Sequence, residues 1–181
     1  MALALACGGG EPGAEAGGEG TGEAEAAAGE LTMPDWMEVD RESESVVLEI
    51  VAGATPANNY WNFQGLAMGE AEIVVPVGYS VQIEFRNEDQ SMAHSLGIDE
   101  AVSSWPAMFQ DPQPVFDGAI TGGPAQIATA TQPGESETIS FTASEAGEYA
   151  MVCYVPGHAI AGMWIYFTVS AEGETGLRMS S

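Results

Sequence analysis

The sequence is poor in basic residues. Its 181 residues contain three arginines and no lysine, against 27 aspartate and glutamate residues, and the formal net charge is −24 at pH 7. A surface so rich in carboxylates repels nucleic acid and anionic lipid head groups and attracts cationic proteins. We therefore expect no nucleic-acid partner, and we expect protein partners with cationic docking surfaces. The same composition is typical of proteins adapted to high salt, where the attraction between exposed charges is screened.

Cysteine, histidine and long apolar runs are also scarce. The two cysteines, Cys7 and Cys153, lie far apart in the sequence and provide no disulfide framework. No run of 18 apolar residues is present, so we expect no transmembrane helix. The two histidines, His94 and His158, are too few for an enzyme that holds several copper ions. The sequence also offers no nucleophile with a base and an orienting residue, and we expect no enzymatic activity.

The first 44 residues differ in composition from the remainder of the chain. A short apolar stretch, Met1 to Ala6, precedes Cys7 and three glycines, and this arrangement resembles the end of a bacterial lipoprotein signal. The charged and long apolar parts of such a signal are missing, and the alternatives are an ordinary cleaved signal peptide and a plain cytoplasmic N-terminus. Residues 8–30 are almost entirely Gly, Ala and Glu, which predicts a disordered acidic tether. We therefore expect an exported protein that a lipid on Cys7 anchors to the periplasmic or extracellular face of a membrane.

From residue 45 onward the pattern is that of β-structure. The clearest strand is Tyr79 to Arg86, in which apolar and polar residues alternate with a period of two. Several short segments of this kind, separated by turn residues, predict a β-sandwich. We expect one domain over residues 45–171, a loose C-terminal end at residues 172–181, and a long irregular insertion at about residues 99–124.

A short loop near the C-terminal end carries three potential metal ligands. One predicted strand ends at Val152, and the next starts at Met163. The loop between them contains Cys153 and His158, and Met163 closes it. A thiolate, two imidazoles and a weakly bound thioether form the type 1 (blue) copper arrangement used in electron transfer. The second imidazole must come from His94, the only other histidine. Zinc also accepts thiolate and imidazole ligands, but a thioether is a poor ligand for zinc.

The spacing Cys153-x4-His158-x4-Met163, with Pro-Gly-His-Ala and Gly-Met inside it, resembles the ligand loop of the cupredoxins, and within them that of the sulfocyanin and rusticyanin group. The similarity covers about residues 46–170. It extends to these upstream segments: Asn62-Phe63 with Gly65, Ile73 to Gly78, and His94-Ser95-Leu96. The resemblance implies a Greek-key β-sandwich of about 7–8 strands. It also implies one type 1 copper ion bound by His94, Cys153, His158 and Met163.

The resemblance further implies an electron carrier of the cell envelope that exchanges electrons with redox proteins such as cytochromes or a terminal oxidase. Ser95 stands where many cupredoxins have Asn, and with the apolar loop it predicts a high reduction potential. We expect the ring edge of His158 to reach the surface inside an apolar docking patch. The residues predicted for that patch are Pro156, Ala159, Ile160 and Ala161. The alternative function is copper storage or delivery on the same scaffold.

Overall fold

The computed structural model describes Met1 and residues 29–180, so the predictions for Cys7 and for most of the tether lie outside the described residues. Nine strands form within the described part of the chain. They are β1 Met37–Asp40, β2 Ser45–Ala52, β3 Ala71–Pro76, β4 Ser80–Asn87, β5 Gly97–Glu100, β6 Ser136–Thr142, β7 Gly147–Val152, β8 Trp164–Ser170 and β9 Gly176–Met179. A 3-10 helix covers Ala57–Tyr60. Among the described residues we find no helix with the length and apolar character needed to cross a membrane.

The strands form two mixed sheets. The first has the order β1-β2-β4-β6, and the second has the order β5-β7-β8-β3-β9. Strands β2 and β4 pair in parallel, as do β3 and β8, while the other neighbours are antiparallel. The all-β sandwich that the sequence predicts is confirmed, with nine strands rather than 7–8.

Alternation along β4 produces the main core between the sheets. Val81, Ile83 and Phe85 are buried, whereas the polar residues between them are more exposed. Side chains of both sheets join them in one apolar cluster. Burial of this apolar surface is the principal contribution to stability.

Strand β7 is buried on both faces. Tyr149 and Met151 point into the main core, and Cys153, just beyond the strand, continues that row as predicted. On the opposite face Val152 and Tyr154 belong to a second apolar cluster. The strand that leads to the predicted ligand loop therefore has packed neighbours on each side, which restricts its movement.

The domain extends beyond the predicted boundaries at both ends. Strand β1 begins before residue 45 and pairs with β2, with Met37 buried. Strand β9 lies within the segment expected to be loose and pairs with β3, and Arg178 forms an ion pair with Glu72 at 2.9 Å. Both strands are only four residues long and cover sheet edges, so their stability comes from distant partners and not from a local pattern.

The predicted insertion at residues 99–124 is structured by its aromatic side chains. Its first residues complete β5. The Phe109 ring meets that of Tyr154 edge to face at a centroid distance of 4.8 Å, and Trp105 packs beside Phe109. Phe116 turns the other way and stacks on Phe141 in the main core, at 5.5 Å. The segment therefore forms an additional layer over the outer face of β7.

Candidate metal centre

The loop between β4 and β5 places His94. Asn87, at the end of β4, is fully buried, and its side-chain amide donates hydrogen bonds to the carbonyl oxygens of Met92 and Thr131, each at 2.9 Å. The backbone N–H of His94 donates to the same Thr131 carbonyl at 3.1 Å. A single buried amide thus connects the carbonyl of Met92 in this loop with the carbonyl of Thr131 and fixes the path of the chain into the site.

The loop between β7 and β8 places the other predicted ligands. The N–H of Cys153 donates to the carbonyl of Met163 at 3.1 Å, and the N–H of Met163 donates to the carbonyl of His158 at 2.9 Å. The loop turns at Gly157 and Gly162, which have positive φ angles of 87° and 101°. Glycine adopts these angles without strain, so the chain can fold back and bring both ends of the loop together.

Three potential ligands converge in the interior. Metal-binding atoms of His94, Cys153 and His158 all lie within 4.8 Å of one another. The two Nδ1 atoms are 3.2 Å apart, and the Cys153 Sγ is 3.5 Å from the Nδ1 of His158. All three residues are fully buried, and so is Met163, which the backbone bonds of the loop hold next to them.

Ser95 contacts the sulfur from both its backbone and its side chain. Its N–H donates to the Cys153 Sγ at 3.4 Å, and its Oγ lies 3.7 Å from the same atom. The Oγ also accepts a hydrogen bond from the N–H of Tyr154 at 2.9 Å. Because the oxygen already accepts one bond, its own proton is free to point towards the sulfur. Ser95 therefore links the two loops that carry the predicted ligands.

Burial sets the protonation of these groups. It raises the pKa of Cys153 to about 11, and hydrogen bonds from Ser95 and Val155 only partly oppose this rise. Burial, together with the neighbouring His94, lowers the pKa of His158 to about 4, and burial also lowers the pKa of His94. Both imidazoles are therefore neutral near pH 7 and can offer a lone pair, whereas a metal must displace the thiol proton.

This donor set fits copper. Two neutral imidazoles and one thiol that can be deprotonated are the strong ligands of a type 1 site, and a thioether in the same loop supplies the weak one. The Nε2 of His158 is buried and has no hydrogen-bond partner among the residues that the structure describes, so none of these residues holds the ring by a polar contact at its far nitrogen. Nothing in the donor set requires a different metal.

The site contains a buried carboxylate that the sequence did not reveal as a site residue. The Asp89 Oδ2 lies 3.1 Å from the Nε2 of His94, and Asp89 is only 5% exposed. Burial raises its pKa, but hydrogen bonds from Ser91, His94 and Met92 outweigh burial and leave the pKa below its usual value. Asp89 is therefore ionised near pH 7. The only sequence signal is an acidic residue in the polar turn that precedes His94.

Two predictions about the surface of the site are wrong. The ring edge of His158 does not reach solvent, because Trp61 stacks on the imidazole with centroids 4.1 Å apart and an interplanar angle of 19°. Ala159, predicted to belong to the docking patch, is buried in the second apolar cluster. Ile160 and Ala161 are exposed, and Pro156 is partly exposed.

An unusual turn holds Trp61 in place. Asn58, Asn59 and Tyr60 all have positive φ angles, between 45° and 67°. Asparagine tolerates this left-handed region well, whereas tyrosine adopts it at a cost, and such strain is concentrated at functional sites. The Asn58 side chain donates to the carbonyl of Trp61 at 2.8 Å and stabilises the turn. The turn directs the indole over His158.

Residues 34–176 match the sulfocyanin (SoxE) domain family. The chain belongs to the sulfocyanin domain family. The predicted resemblance to the cupredoxins is thereby confirmed, and the predicted cofactor, one type 1 copper ion, is the cofactor of this family.

Individual relatives share part of their length with this sulfocyanin-family chain. Sulfocyanin of Sulfolobus acidocaldarius is 30% identical over 136 residues, which cover 71% of this chain and 65% of that protein. Rusticyanin of Acidithiobacillus ferrooxidans is 26% identical over 123 residues, which cover 67% of this chain and 62% of that protein. The chain thus spans less than two thirds of the length of these two relatives. Reduced auracyanin of Roseiflexus castenholzii is 25% identical, with a TM-score of 0.49, over 71% of this chain and 98% of that one.

Removal of the indole should expose His158. Because burial is the largest cause of its lowered pKa, we expect Trp61→Ala to raise the pKa of His158 in the metal-free protein from about 4 towards its usual value of 6.5. Titration of the ring by NMR measures this change. Tyr60→Ala, in the same turn, is the control and should leave the pKa unchanged. An unaltered pKa in Trp61→Ala would show that the indole does not shield the ring.

Proposed function

We propose that this chain is a blue copper electron-transfer protein of the cell envelope. The observation that carries the proposal is the convergence of three buried ligand atoms, from His94, Cys153 and His158, between two hydrogen-bonded loops. The family match over residues 34–176 supports the same function, because cupredoxins of this family are blue copper electron carriers.

Each ligand has a distinct role in the proposed centre. Bound copper supplies a one-electron couple between Cu(II) and Cu(I). His94, Cys153 and His158 would provide the three strong ligands, and Met163 would provide the weak thioether ligand. Buried hydrogen bonds hold both loops, so the ligands would keep nearly the same positions in both oxidation states. Little reorganisation then accompanies electron transfer, and no bond of a substrate is made or broken.

We also propose that the reduction potential is high. Burial of Cys153 in an apolar cluster and a weak thioether ligand both disfavour the more charged Cu(II) state. The chain's negative charge acts in the opposite direction, but most of it lies on the surface, where salt screens it. The contacts at the site are short and are not screened by salt, so we expect them to affect the reduction potential more than the surface charge does.

Burial of the donors favours a carrier over a storage or delivery protein. A delivery protein must present its copper to the ligands of an acceptor. Here all four proposed ligands are fully buried, and Trp61 covers His158 on its outer side. A copper ion can leave such a site only if the loops open.

Two substitutions and a matched control test the ligand set. Copper-loaded protein should have an intense thiolate-to-Cu(II) absorption band, which Cys153→Ser should abolish. Met163→Leu should keep the band and raise the potential, because it removes electron donation from sulfur. Met151 is a buried methionine of the same core, and Met151→Leu should change neither the absorption band nor the reduction potential. Absorption spectra and voltammetry over repeated redox cycles measure these effects. Release of copper on reduction, or a lower potential in Met163→Leu, would contradict the proposal.

Partner proteins are proposed to dock where exposed apolar residues surround the covered His158. Ile160 is 57% exposed and Met68 is 63% exposed, and the Met68 N–H donates to the carbonyl of Gly162 in the ligand loop at 2.7 Å. Small apolar patches suit transient redox contacts. Two of the three arginines are paired with glutamates, so the remaining acidic surface favours cationic cytochromes or a cationic face of a terminal oxidase.

Kinetics of electron exchange test this docking surface. Ile160→Ser and Met68→Ser should slow exchange with a basic c-type cytochrome, and added salt should slow it further by screening. Val77→Ser is the control, since Val77 is exposed beyond the end of β3, where β3 pairs with the far end of β8. Equal slowing by all three variants, or no dependence on salt, would contradict the proposed surface.

The location is proposed from the N-terminal segment. A lipidated Cys7 followed by an acidic tether would keep the domain near the outer face of a membrane while leaving it free to meet partners. Full-length protein from its native host should partition into the detergent phase, and Cys7→Ser should move it to the aqueous phase. Mass spectrometry that finds an unmodified Cys7 would exclude the anchor.

A further inference from the structure

We propose that Asp89 is a positioning residue that selects the tautomer of His94 and places a fixed negative charge against the copper centre. The part that concerns His94 stands on the geometry of the metal-free chain. The part that concerns the reduction potential rests on the function proposed above.

Both oxygens of the Asp89 carboxylate are engaged. Its Oδ2 contacts the Nε2 of His94 at 3.1 Å. Its Oδ1 accepts hydrogen bonds from the N–H and the hydroxyl of Ser91, at 2.9 and 3.0 Å, and from the N–H of Met92 at 3.2 Å. Its backbone N–H donates to the Oδ1 of Asn87 at 3.0 Å. The side chain is therefore fixed at four points and cannot turn away from the imidazole.

This arrangement determines where the His94 proton lies. A neutral imidazole carries one N–H, and the carboxylate oxygen at Nε2 can only accept. The proton therefore belongs on Nε2, and Nδ1 presents its lone pair to the cluster, 3.2 Å from the Nδ1 of His158. The other tautomer would set two lone pairs against each other at Nε2 and direct an N–H into the metal site. Asp89 thus prepares His94 for metal binding before any metal arrives.

The charge of Asp89 acts on the centre at short range. Asp89 is 5% exposed and His94 is fully buried, so little solvent screens the pair. A negative charge behind a ligand makes that ligand more basic and stabilises the more positive metal state. Asp89 should therefore strengthen copper binding and lower the reduction potential, in opposition to the other contacts of the site.

Asparagine cannot replace this aspartate without a change at His94. An asparagine has one oxygen and one NH2 group, whereas three donors from Ser91 and Met92 surround one side of the carboxylate. The oxygen should face those three donors, which leaves the NH2 group towards the Nε2 of His94. That nitrogen must then accept, and the proton moves to Nδ1, into the metal site.

The first arm of the test uses the metal-free full chain. Nitrogen-15 NMR of the imidazole distinguishes the two tautomers of His94. We expect the Nε2–H tautomer in the native chain and the Nδ1–H tautomer in Asp89→Asn. An Nδ1–H tautomer in the native chain, or no change in a folded Asp89→Asn variant, would overturn the assignment. This arm does not depend on the proposed electron-transfer function.

The second arm uses copper. Changes behind a ligating histidine typically weaken metal binding by about 10–100-fold, and we expect a loss of that size in Asp89→Asn. Removal of the charge should also shift the equilibrium between the two copper states at least about tenfold towards Cu(I), which corresponds to about 59 mV in a one-electron couple. Titration with Cu(II) and voltammetry measure the two effects. An unchanged or lower potential in Asp89→Asn would overturn the electrostatic part.

Two controls separate positioning from loop stability and from total charge. Ser91→Ala removes one hydrogen bond to the Asp89 Oδ1 and leaves the contact with His94, so the tautomer and potential should stay native. Glu88→Gln removes a neighbouring exposed charge that pairs with Arg86, and it should shift the potential much less than Asp89→Asn. If either control changed the tautomer or the potential as much as Asp89→Asn does, the proposal would be overturned. If the native tautomer is found but no blue copper centre forms, the proposed function fails and the assignment of His94 stands.

Discussion

The structure depends on the joint burial of a thiol and two imidazoles in one small cluster. Taking such groups out of water costs free energy, and here the cost is visible in the raised pKa of Cys153 and the lowered pKa of His158. Metal binding would offset this cost because a metal ion is a stronger partner for the ligand atoms than their contacts with one another, and the binding energy would then become folding energy. The fold must therefore hold the ligands together without a metal, and the surrounding hydrogen bonds do so.

The support comes from two loops that are connected to each other as well as to the sheets. Hydrogen bonds from Asn87 and to Thr131 fix the loop of His94. A backbone hydrogen bond between Cys153 and Met163 joins the two ends of the other loop. Ser95 joins the two loops through its contacts with the sulfur and with Tyr154. Strand β7, packed on both faces, keeps the thiol end of this arrangement fixed. Few of these groups can move alone, which is the property that an electron carrier with little reorganisation needs.

The sequence predicted those features that a local pattern determines. Alternation from residue 79 to 86 predicted strand β4, and the spacing of the ligand loop predicted the two residues, Cys153 and His158, whose metal-binding atoms lie close to those of His94. Strands β1 and β9 were missed because four residues at a sheet edge have no pattern of their own. The cover over His158 was missed because it depends on a left-handed turn at residues 58–60, which places an indole against a loop about a hundred residues further along the chain. Asp89 was missed because its role depends on the path of the loop rather than on its residue type.

The two histidines of the proposed centre have different supports. The support of His94 affects the energy of the two copper states, whereas the support of His158 affects access to its ring. His94 has an ionised carboxylate at its far nitrogen, so a change there alters the energy of the two copper states. His158 has an apolar indole on its face and, within residues 29–180, no hydrogen-bond partner at Nε2, so a change there would alter how solvent reaches the ring. A carboxylate placed at His158 instead would put a charge beside the proposed apolar docking surface and raise the cost of removing water from it. An indole at His94 would leave the tautomer of that ring unselected. Each histidine is therefore supported by a different residue, Asp89 at His94 and Trp61 at His158, although the two rings themselves lie in contact.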